Sequence, residues 1–488
     1  MLLQLDHFRL GSDKDITLQH QIKRMIVDGI LTGRFRPGDR LPSSRGLSRH
    51  LGISRITVTL AYADLVADDY LTSEGRRGYF VSEGAPSAAP ALPPADQSEA
   101  SVDWARILGP RRSSSPTIDR PRDWQNYPYP FIYGQTDRKL FDQGAWRACA
   151  LMALGQRDFE ALTADRYDSD DPELVENLLR HILTRRGIRA TPDEILITLG
   201  AQNALWIAAH LVLTQRRTAA VENPCYPGLR DILAQTRCRI APVDVDANGL
   251  PPRDLPEGID AVFVTPSHHC PTNATLPIDR RQTLLHMAAE RGFVVVEDDY
   301  EFEMAFHRAP SPSLKSLDRA GLVIHVGSFS KSLFPGLRLG YVVASAPFIA
   351  EARTVRATLL RHPPGHLQRT AAYFLSLGHY DAQVNRMRKT FARRRDVMRA
   401  AIDDQGLILG AGVADGGSSF WMAAPKGTDT VDLARGLHAD GVVIEPGQSF
   451  FAGSDAPRNF YRLAYSSIPS SRIPDGIQKI AAAISRAA

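Results

Sequence analysis

Between residues 82 and 121 the chain carries seven prolines in 40 positions, against 33 in all 488. Proline lacks a backbone N–H and fixes φ, so this stretch is neither a core strand nor one continuous helix. Alanine and serine fill much of the rest, and apolar periodicity is lost. It reads as a partly polyproline linker over residues 84–121. A module of about 80 residues (1–83) precedes it and one of about 365 (122–488) follows. Apolar residues make up 43% and charged residues 23%, ordinary globular proportions that exclude a disordered, collagenous or disulfide-scaffold chain. The net charge of +4, from 58 Lys+Arg against 54 Asp+Glu, is too small to imply nucleic-acid binding, so such a claim must rest on local pattern. Cys149, Cys225, Cys238 and Cys270 form no C-x-x-C pair, so no metal site is expected and the thiols read as reduced. No uncharged apolar run reaches the roughly 18 residues of a membrane span. The expectation is a cytoplasmic protein without a membrane partner.

In the small module Thr17 can cap a helix with apolar positions Leu18, Ile22, Met25 and Ile26. Pro37-Gly38 signals a turn, Ser43 can cap a short helix, and Ser54 can cap a second in which Val58, Ala61 and Leu65 form an apolar stripe. Arg55 and Thr59, one turn apart, lie on another face. Strand candidates at residues 70–73 and 79–82 flank Glu74-Gly75-Arg76-Arg77-Gly78. This order predicts a winged helix-turn-helix, whose second helix enters the major groove by its N-terminal residues. Arginine suits the guanine edge, and a basic wing tip suits phosphates or the minor groove. Residues 40–59 hold Arg40, Arg45, Arg49 and Arg55 and no acid.

The run RPGDRLPSSRGLSRHLGISRITVTLAYADLVADDYLTSEGRRGYFV resembles the GntR-type winged helix almost end to end. The resemblance implies DNA contacts from Arg45, Ser54, Arg55 and Thr57, with Thr59 beside them and Arg76, Arg77 and Gly78 at the wing tip. Gly46-Leu47 departs from the usual E-L at that point of the family's pattern.

In the large module the decisive run is Gly327-Ser328-Phe329-Ser330-Lys331-Ser332-Leu333-Phe334-Pro335-Gly336-Leu337-Arg338-Leu339-Gly340, after an apolar strand candidate at residues 322–326. A Schiff-base lysine must be held at a strand end beside a carbonyl carbon. Ser328, Ser330 and Arg338 supply phosphate donors close by. A bare serine-lysine pair reads as a surface loop; S-x-S-K-x-x-x-P-G-x-R-x-G does not. Upstream, a strand candidate at residues 292–296 ends in Glu297-Asp298-Asp299-Tyr300. A carboxylate there can hold a pyridinium proton, and a tyrosine two residues on can donate to a phenolate; an acidic metal or solvated loop is the alternative for this stretch alone. Gly200-Ala201-Gln202, after an apolar run, makes a strand–glycine–helix anion site. Tyr226 can stack on a ring, or be a core tyrosine. Arg462, in an apolar strand candidate, needs an anionic partner, from the protein or from a ligand.

These five features in this order resemble fold-type I aminotransferases that use pyridoxal 5'-phosphate (PLP), from about residue 131 to the end. The resemblance implies an α/β fold, a doubly wound mixed sheet with a smaller C-terminal α/β subdomain. It makes Lys331 the internal-aldimine lysine, Asp298 the partner of the pyridine nitrogen, Tyr300 a donor to the phenolate oxygen and Tyr226 the stacking ring. It implies phosphate contacts from Ala201, Gln202, Ser328, Ser330 and Arg338, with Tyr167 reaching the partner subunit's phosphate. Arg462 would take the ligand's carboxylate. A GntR-like winged helix, a linker and an aminotransferase-like domain together resemble the MocR/GabR subfamily of bacterial transcription regulators. The segment FIYGQTDRKLFDQGAW (131–146) fits that subfamily's pattern, with Thr136 and Asp142 in place of two prolines.

In Thr265-Pro266-Ser267-His268-His269-Cys270-Pro271-Thr272-Asn273, Cys270 stands where aminotransferases of this type carry a ring-contacting asparagine, and Asn273 replaces a glycine. That removes a hydrogen bond to the phenolate oxygen and weakens the case for efficient turnover. His268 and His269 are expected to border the ligand space. The resemblance implies a homodimer, domain-swapped and head-to-tail, that binds double-stranded operator DNA and an amine or amino-acid-like effector. Carried over, the function is a PLP-dependent regulator that senses its amine by external aldimine formation, with weak half-transamination at most. Two alternatives are a working aminotransferase with a DNA-binding appendage and a DNA-binding protein with a purely scaffolding domain. The intact Lys331, Asp298, Tyr300 and Arg338 set argues against the last.

Overall fold

Serine and threonine caps set the helices of the first unit. The computed structural model describes residues 2–11, 16–86, 102–108, 120–306, 310–411, 416–453 and 455–487. The chain divides into two compact units, residues 1–109 and 110–488. Helix α1 (Leu18–Leu31) starts at Thr17, whose side chain accepts from the His20 N–H. Helices α2 (Ser44–Leu51) and α3 (Arg55–Ala67) start the same way at Ser43 and Ser54. Gly52 ends α2 in the left-handed region at φ 67°, which makes the tight turn into α3. Strands β1 (Leu71–Ser73) and β2 (Tyr79–Val81) form an antiparallel wing, with Ser73 opposite Tyr79. Ile22, Ile26, Leu47, Val58, Ala61 and Leu65 are fully buried in the core of this unit. Leu18, counted above with the apolar positions of α1, is 43% exposed, because the first turn overhangs that core.

Most of the linker expected at residues 84–121 lies outside the described residues. Within it, Trp104–Leu108 is a short helix and not extended chain. It sits in the proline-free run between Pro94 and Pro110, where nothing blocks a helical turn.

In the second unit the strands are β3 (Tyr129–Pro130), β4 (Ile195–Thr198), β5 (Thr218–Asn223), β6 (Arg239–Asp244), β7 (Ala261–Val264), β8 (Val294–Asp299), β9 (Val323–Ser328) and β10 (Gly340–Val343). Then follow β11 (Ile408–Leu409), β12 (Ser419–Ala423), β13 (Val442–Val443), β14 (Glu445–Pro446) and β15 (Phe460–Ala464). The large sheet has the order β4-β10-β9-β8-β7-β5-β6, with β10 alone antiparallel to its neighbours. A smaller antiparallel sheet, β11-β12-β15-β14, belongs to the C-terminal part.

The strands read as apolar runs because helices cover both faces of the large sheet. Val221, Phe263, Val296 and Ile324 pack with Ala204 and Leu205 of the helix Ala201–Val212. Their neighbours Ala220, Val262, Val295 and Val323 pack with Leu284 and Met287 of the helix Ile278–Arg291. In open α/β sheets, ligands sit beyond the carboxyl ends of the strands.

Glycine permits the tightest crossing at that edge. A Cβ on Gly340 would lie 2.8 Å from the Gly327 carbonyl oxygen and 2.9 Å from the Gly200 Cα. Both obstacles are backbone and cannot rotate away. Gly340→Ala is expected to cost about 1–3 kcal/mol of stability, read as a lower urea midpoint at unchanged slope. An unchanged midpoint would show that the crossing has slack.

Candidate functional site

The ends of six strands converge on a cavity of about 510 Å3. Ala201 and Gln202 follow β4, Tyr226 follows β5, and Cys270 follows β7. Asp298 is the penultimate residue of β8; Ser328, Ser330 and Lys331 lie at and just after the end of β9; Arg338 precedes β10. Tyr300 and Arg462 complete the set, so eleven of the residues singled out in the sequence line one cavity.

At one side the helix Ala201–Val212 starts after Gly200, which holds φ 80°. The first N–H groups of a helix have no intrahelical acceptor, so they face outward as anion donors. A Cβ on Gly200 would be 3.8 Å from Ser330 Oγ and 3.9 Å from the Arg338 Cα. The Ser330 hydroxyl and the Arg338 backbone therefore lie beside the helix start, the Arg338 side chain lines the same cavity, and Arg338 adopts a left-handed φ of 51°.

The three acids of β8 are sorted by neighbour. Glu297 accepts from the Leu314 N–H at 2.6 Å, the Lys315 N–H at 3.1 Å and the His325 ring at 2.9 Å. Asp299 takes Arg186 Nε at 2.7 Å, both side chains buried. Asp298 alone lines the cavity, and its buried Oδ1 has no hydrogen-bond partner. Burial, reinforced by the Asp299 carboxylate and opposed by the Lys331 amine, pushes its carboxyl up to about 7.

Lys331 Nζ stands 4.4 Å from the centre of the Tyr133 ring, and the Arg462 guanidinium carbon 4.1 Å from it. The Tyr133 hydroxyl donates to Glu301 Oε2 at 3.0 Å, and Ser418 Oγ donates to Glu301 Oε1 at 2.6 Å. Burial holds the lysine amine below its ordinary value, with Glu301 opposing and Arg462 adding. Gly134 lies so close that a Cβ would be 2.1 Å from Nζ. Tyr133 and Glu301 were not singled out in the sequence. Glu301 directly follows Tyr300, but a single acid after a strand carries no signal of its own.

Arg462 has a protein partner: its Nε donates to Glu445 Oε2 at 2.8 Å, with both groups buried. Tyr300 lines the cavity, and its hydroxyl donates to the His268 carbonyl at 2.8 Å. Three expected residues do not line the cavity. His268 and His269 are buried behind it, correcting the expectation that they border the ligand space. The loop turns at Asn273, φ 60°, and draws them inward: His269 Nδ1 pairs with Thr272 Oγ1 at 2.7 Å. The left-handed conformation explains how Asn273 fills a glycine position. Tyr167 is 48% exposed under the Arg361 guanidinium, outside the lining. Asp142, at one lost proline, caps the helix Gln143–Ala153 by accepting from the Ala145 N–H at 2.9 Å; Thr136, at the other, donates to the Leu333 carbonyl at 3.4 Å.

In the first unit Arg45, Arg55, Thr59, Arg76 and Arg77 are exposed, Thr57 and Gly78 partly so, and Ser54 serves as the α3 cap. Arg55 Nε reaches Ser44 Oγ at 3.4 Å. Arg77 pairs with Glu74 at 2.6 Å, and Gly78 holds φ 107° at the wing tip.

Residues 18–81 match the bacterial regulatory proteins of the gntR family, and residues 162–480 match aminotransferase class I and II. The chain is 59% identical to the HTH-type transcriptional regulator TauR of Rhodobacter capsulatus, over 99% of this chain and 100% of that one. The chain belongs to the MocR/GabR-type regulators. Within this family it is also 28% identical to the probable rhizopine catabolism regulatory protein MocR of Rhizobium meliloti, over 97% of this chain and 95% of that one. Its second unit shares the fold of Pyrococcus horikoshii kynurenine aminotransferase (TM-score 0.70, 23% identity, 79% of this chain and 98% of that one). It is also similar to LysN, the α-aminoadipate aminotransferase of Thermus thermophilus (TM-score 0.69, 26% identity, 79% and 99%). A MocR/GabR-type chain is a transcriptional regulator with an aminotransferase-like domain, and the class I and II fold normally binds PLP.

Removing one partner of a buried ion pair leaves an uncompensated charge. Glu445→Ala is therefore expected to lower stability by about 3–5 kcal/mol in urea unfolding. A loss near zero would mean that Arg462 finds another anion.

Proposed function

We propose that the chain is a PLP-dependent transcription regulator that senses an amino-acid-like amine and controls a catabolic or metabolic operon. In this reading residues 1–83 bind operator DNA, residues 84–121 link, and residues 122–488 take the effector and dimerise. The protein is cytoplasmic; no helix among the described residues is long and apolar enough to cross a membrane.

What supports the reading is one observation: Asp298, with its unpartnered Oδ1, and Lys331 line the same cavity as an anion cradle. That donor set fits PLP. Ala201, Gln202, Ser328, Ser330 and Arg338 would hold the phosphate, and Tyr167 would reach that of the partner subunit. Tyr226 would lie against the ring, Asp298 would hold the proton on the ring nitrogen, and Tyr300 would donate to the phenolate oxygen on turning its hydroxyl from the His268 carbonyl. When bound, PLP supplies an aldehyde carbon that condenses reversibly with primary amines. The depressed basicity of Lys331 keeps more of its amine unprotonated at neutral pH. Arg462, anchored by Glu445, would present its remaining N–H groups to an effector carboxylate or sulfonate. The buried histidines leave effector choice to Tyr133, Cys270 and Phe450 on the cavity wall. On DNA, Arg45, Ser54, Arg55, Thr57 and Thr59 would meet the major groove and Arg76, Arg77 and Gly78 the flanking backbone. An effector shifts DNA binding only by its differential affinity for the two states.

The test is absorbance of the purified yellow protein titrated with amino acids and diamines, with and without a keto acid. A saturable shift without keto product is expected. Catalytic formation of keto product would replace the sensor by a working aminotransferase. Lys331→Ala should lose the borohydride-reducible adduct while remaining folded; a reducible adduct in the variant would refute the lysine assignment. Arg55→Ala is expected to cost about 1–3 kcal/mol of affinity for selected operator DNA and less for random DNA. Equal losses on both would make it a phosphate contact.

A further inference from the structure

Behind the cavity wall a second buried carboxyl faces Asp298. Glu222 lies near the end of β5, and its Oε2 accepts from the Thr265 N–H at 3.0 Å and from Thr265 Oγ1 at 2.7 Å. The ladder places Val264 opposite Glu297, which brings Thr265 beside Asp298. Glu222, Thr265 and Asp298 contribute to the lining of a small space of about 10 Å3, roughly the volume a single water centre needs. Asp298, with Leu205 and Tyr226, lines both the large cavity and this small one, and its Oδ1 is buried without a partner.

We propose that Glu222 is a positioning residue for Asp298: the two form a buried acid pair across a one-water site, and Glu222 keeps the pair's proton so that Asp298 carries the charge. This rests on the proposed PLP reading for its purpose, because a ring nitrogen needs an ionised Asp298.

The surroundings set the asymmetry. The titratable groups facing the pair are Cys225 and Tyr226 after β5, His269 and Cys270 after β7, Asp299 on β8 and Lys331 after β9. Lys331 favours the charge on Asp298. Glu222 has no such cation. His269 Nε2 is 3.5 Å from Glu222 Oε2, but burial drives that imidazole down to about 3, so it is neutral and supplies no positive charge to hold a carboxylate ionised. Burial first, with the Asp298 charge adding, pushes Glu222 up to about 8 against the Thr265 hydrogen bonds. Two carboxyls in one buried site do not both ionise at neutral pH.

The linkage sign is fixed by this. An acid raised in the folded state keeps its proton while the unfolded chain releases one near 4.5, so stability falls as pH climbs from there to about 8.

The experiment uses the full chain in two states. Without cofactor, the melting temperatures of wild type, Glu222→Gln, Asp298→Asn and the double variant are followed from pH 5 to 9. Glu222→Gln should flatten the fall with pH and be several degrees more stable than wild type at pH 8. The two single effects should be non-additive in the double variant. With PLP bound, absorbance is titrated with pH. Glu222→Gln, still neutral and hydrogen bonding, should keep the wild-type midpoint, whereas Glu222→Leu should shift it. A wild-type slope in the cofactor-free Gln variant, additive single effects, or an unmoved midpoint in the Leu variant would each overturn the pair. If wild type takes up no PLP, the functional reading falls while the cofactor-free measurement still decides the pair.

Discussion

Three backbone segments meet without side chains between them, and the site depends on that contact. Gly200, Gly327 and Gly340 bring the ends of β4, β9 and β10 within van der Waals distance. Because they touch, the helix end at Ala201, Ser330 and Arg338 line the same part of one cavity. The same approach places Lys331, three residues beyond β9, in the cavity mouth beside Gly134. Larger residues at these glycines would separate the anion cradle from the amine.

Around that frame the second unit buries many charges, and most are answered. Glu297 is closed by two backbone N–H groups and an imidazole, Asp299 by Arg186, and Arg462 by Glu445. A buried charge without such company is costly. Asp298 stands out against this background: Asp299 Oδ1 is bare as well, but its other oxygen holds Arg186, whereas Asp298 turns to the cavity with no such partner. Perturbed groups of this kind gather at functional sites, where a ligand completes the pairing.

The winged helix was legible almost to the residue. Capping by Thr17, Ser43 and Ser54 is local chemistry, and local chemistry is written in short stretches of chain. The main cavity was legible for a different reason: Lys331, Asp298 and Arg338 follow apolar strands, and parallel strands deliver their ends to one edge. The two histidines were misplaced because adjacency in sequence did not reveal the inward turn at Asn273. Tyr133, Glu301 and Glu222 went unseen for the same kind of reason. Each acts through contacts 43 or more residues away, such as Tyr133 with Glu301 and Glu222 with Thr265, and a lone acid or tyrosine gives no periodic signal.

The wing carries a smaller electrostatic charge than its two arginines imply. Arg77 is already held by Glu74. If that pair persists on a duplex, the wing displaces roughly one condensed cation fewer, and the slope of log affinity against log salt is shallower by about 0.9. On the proposed DNA contacts, grip on the duplex would then vary less with ionic strength, and α3 would carry a larger share of the choice of site.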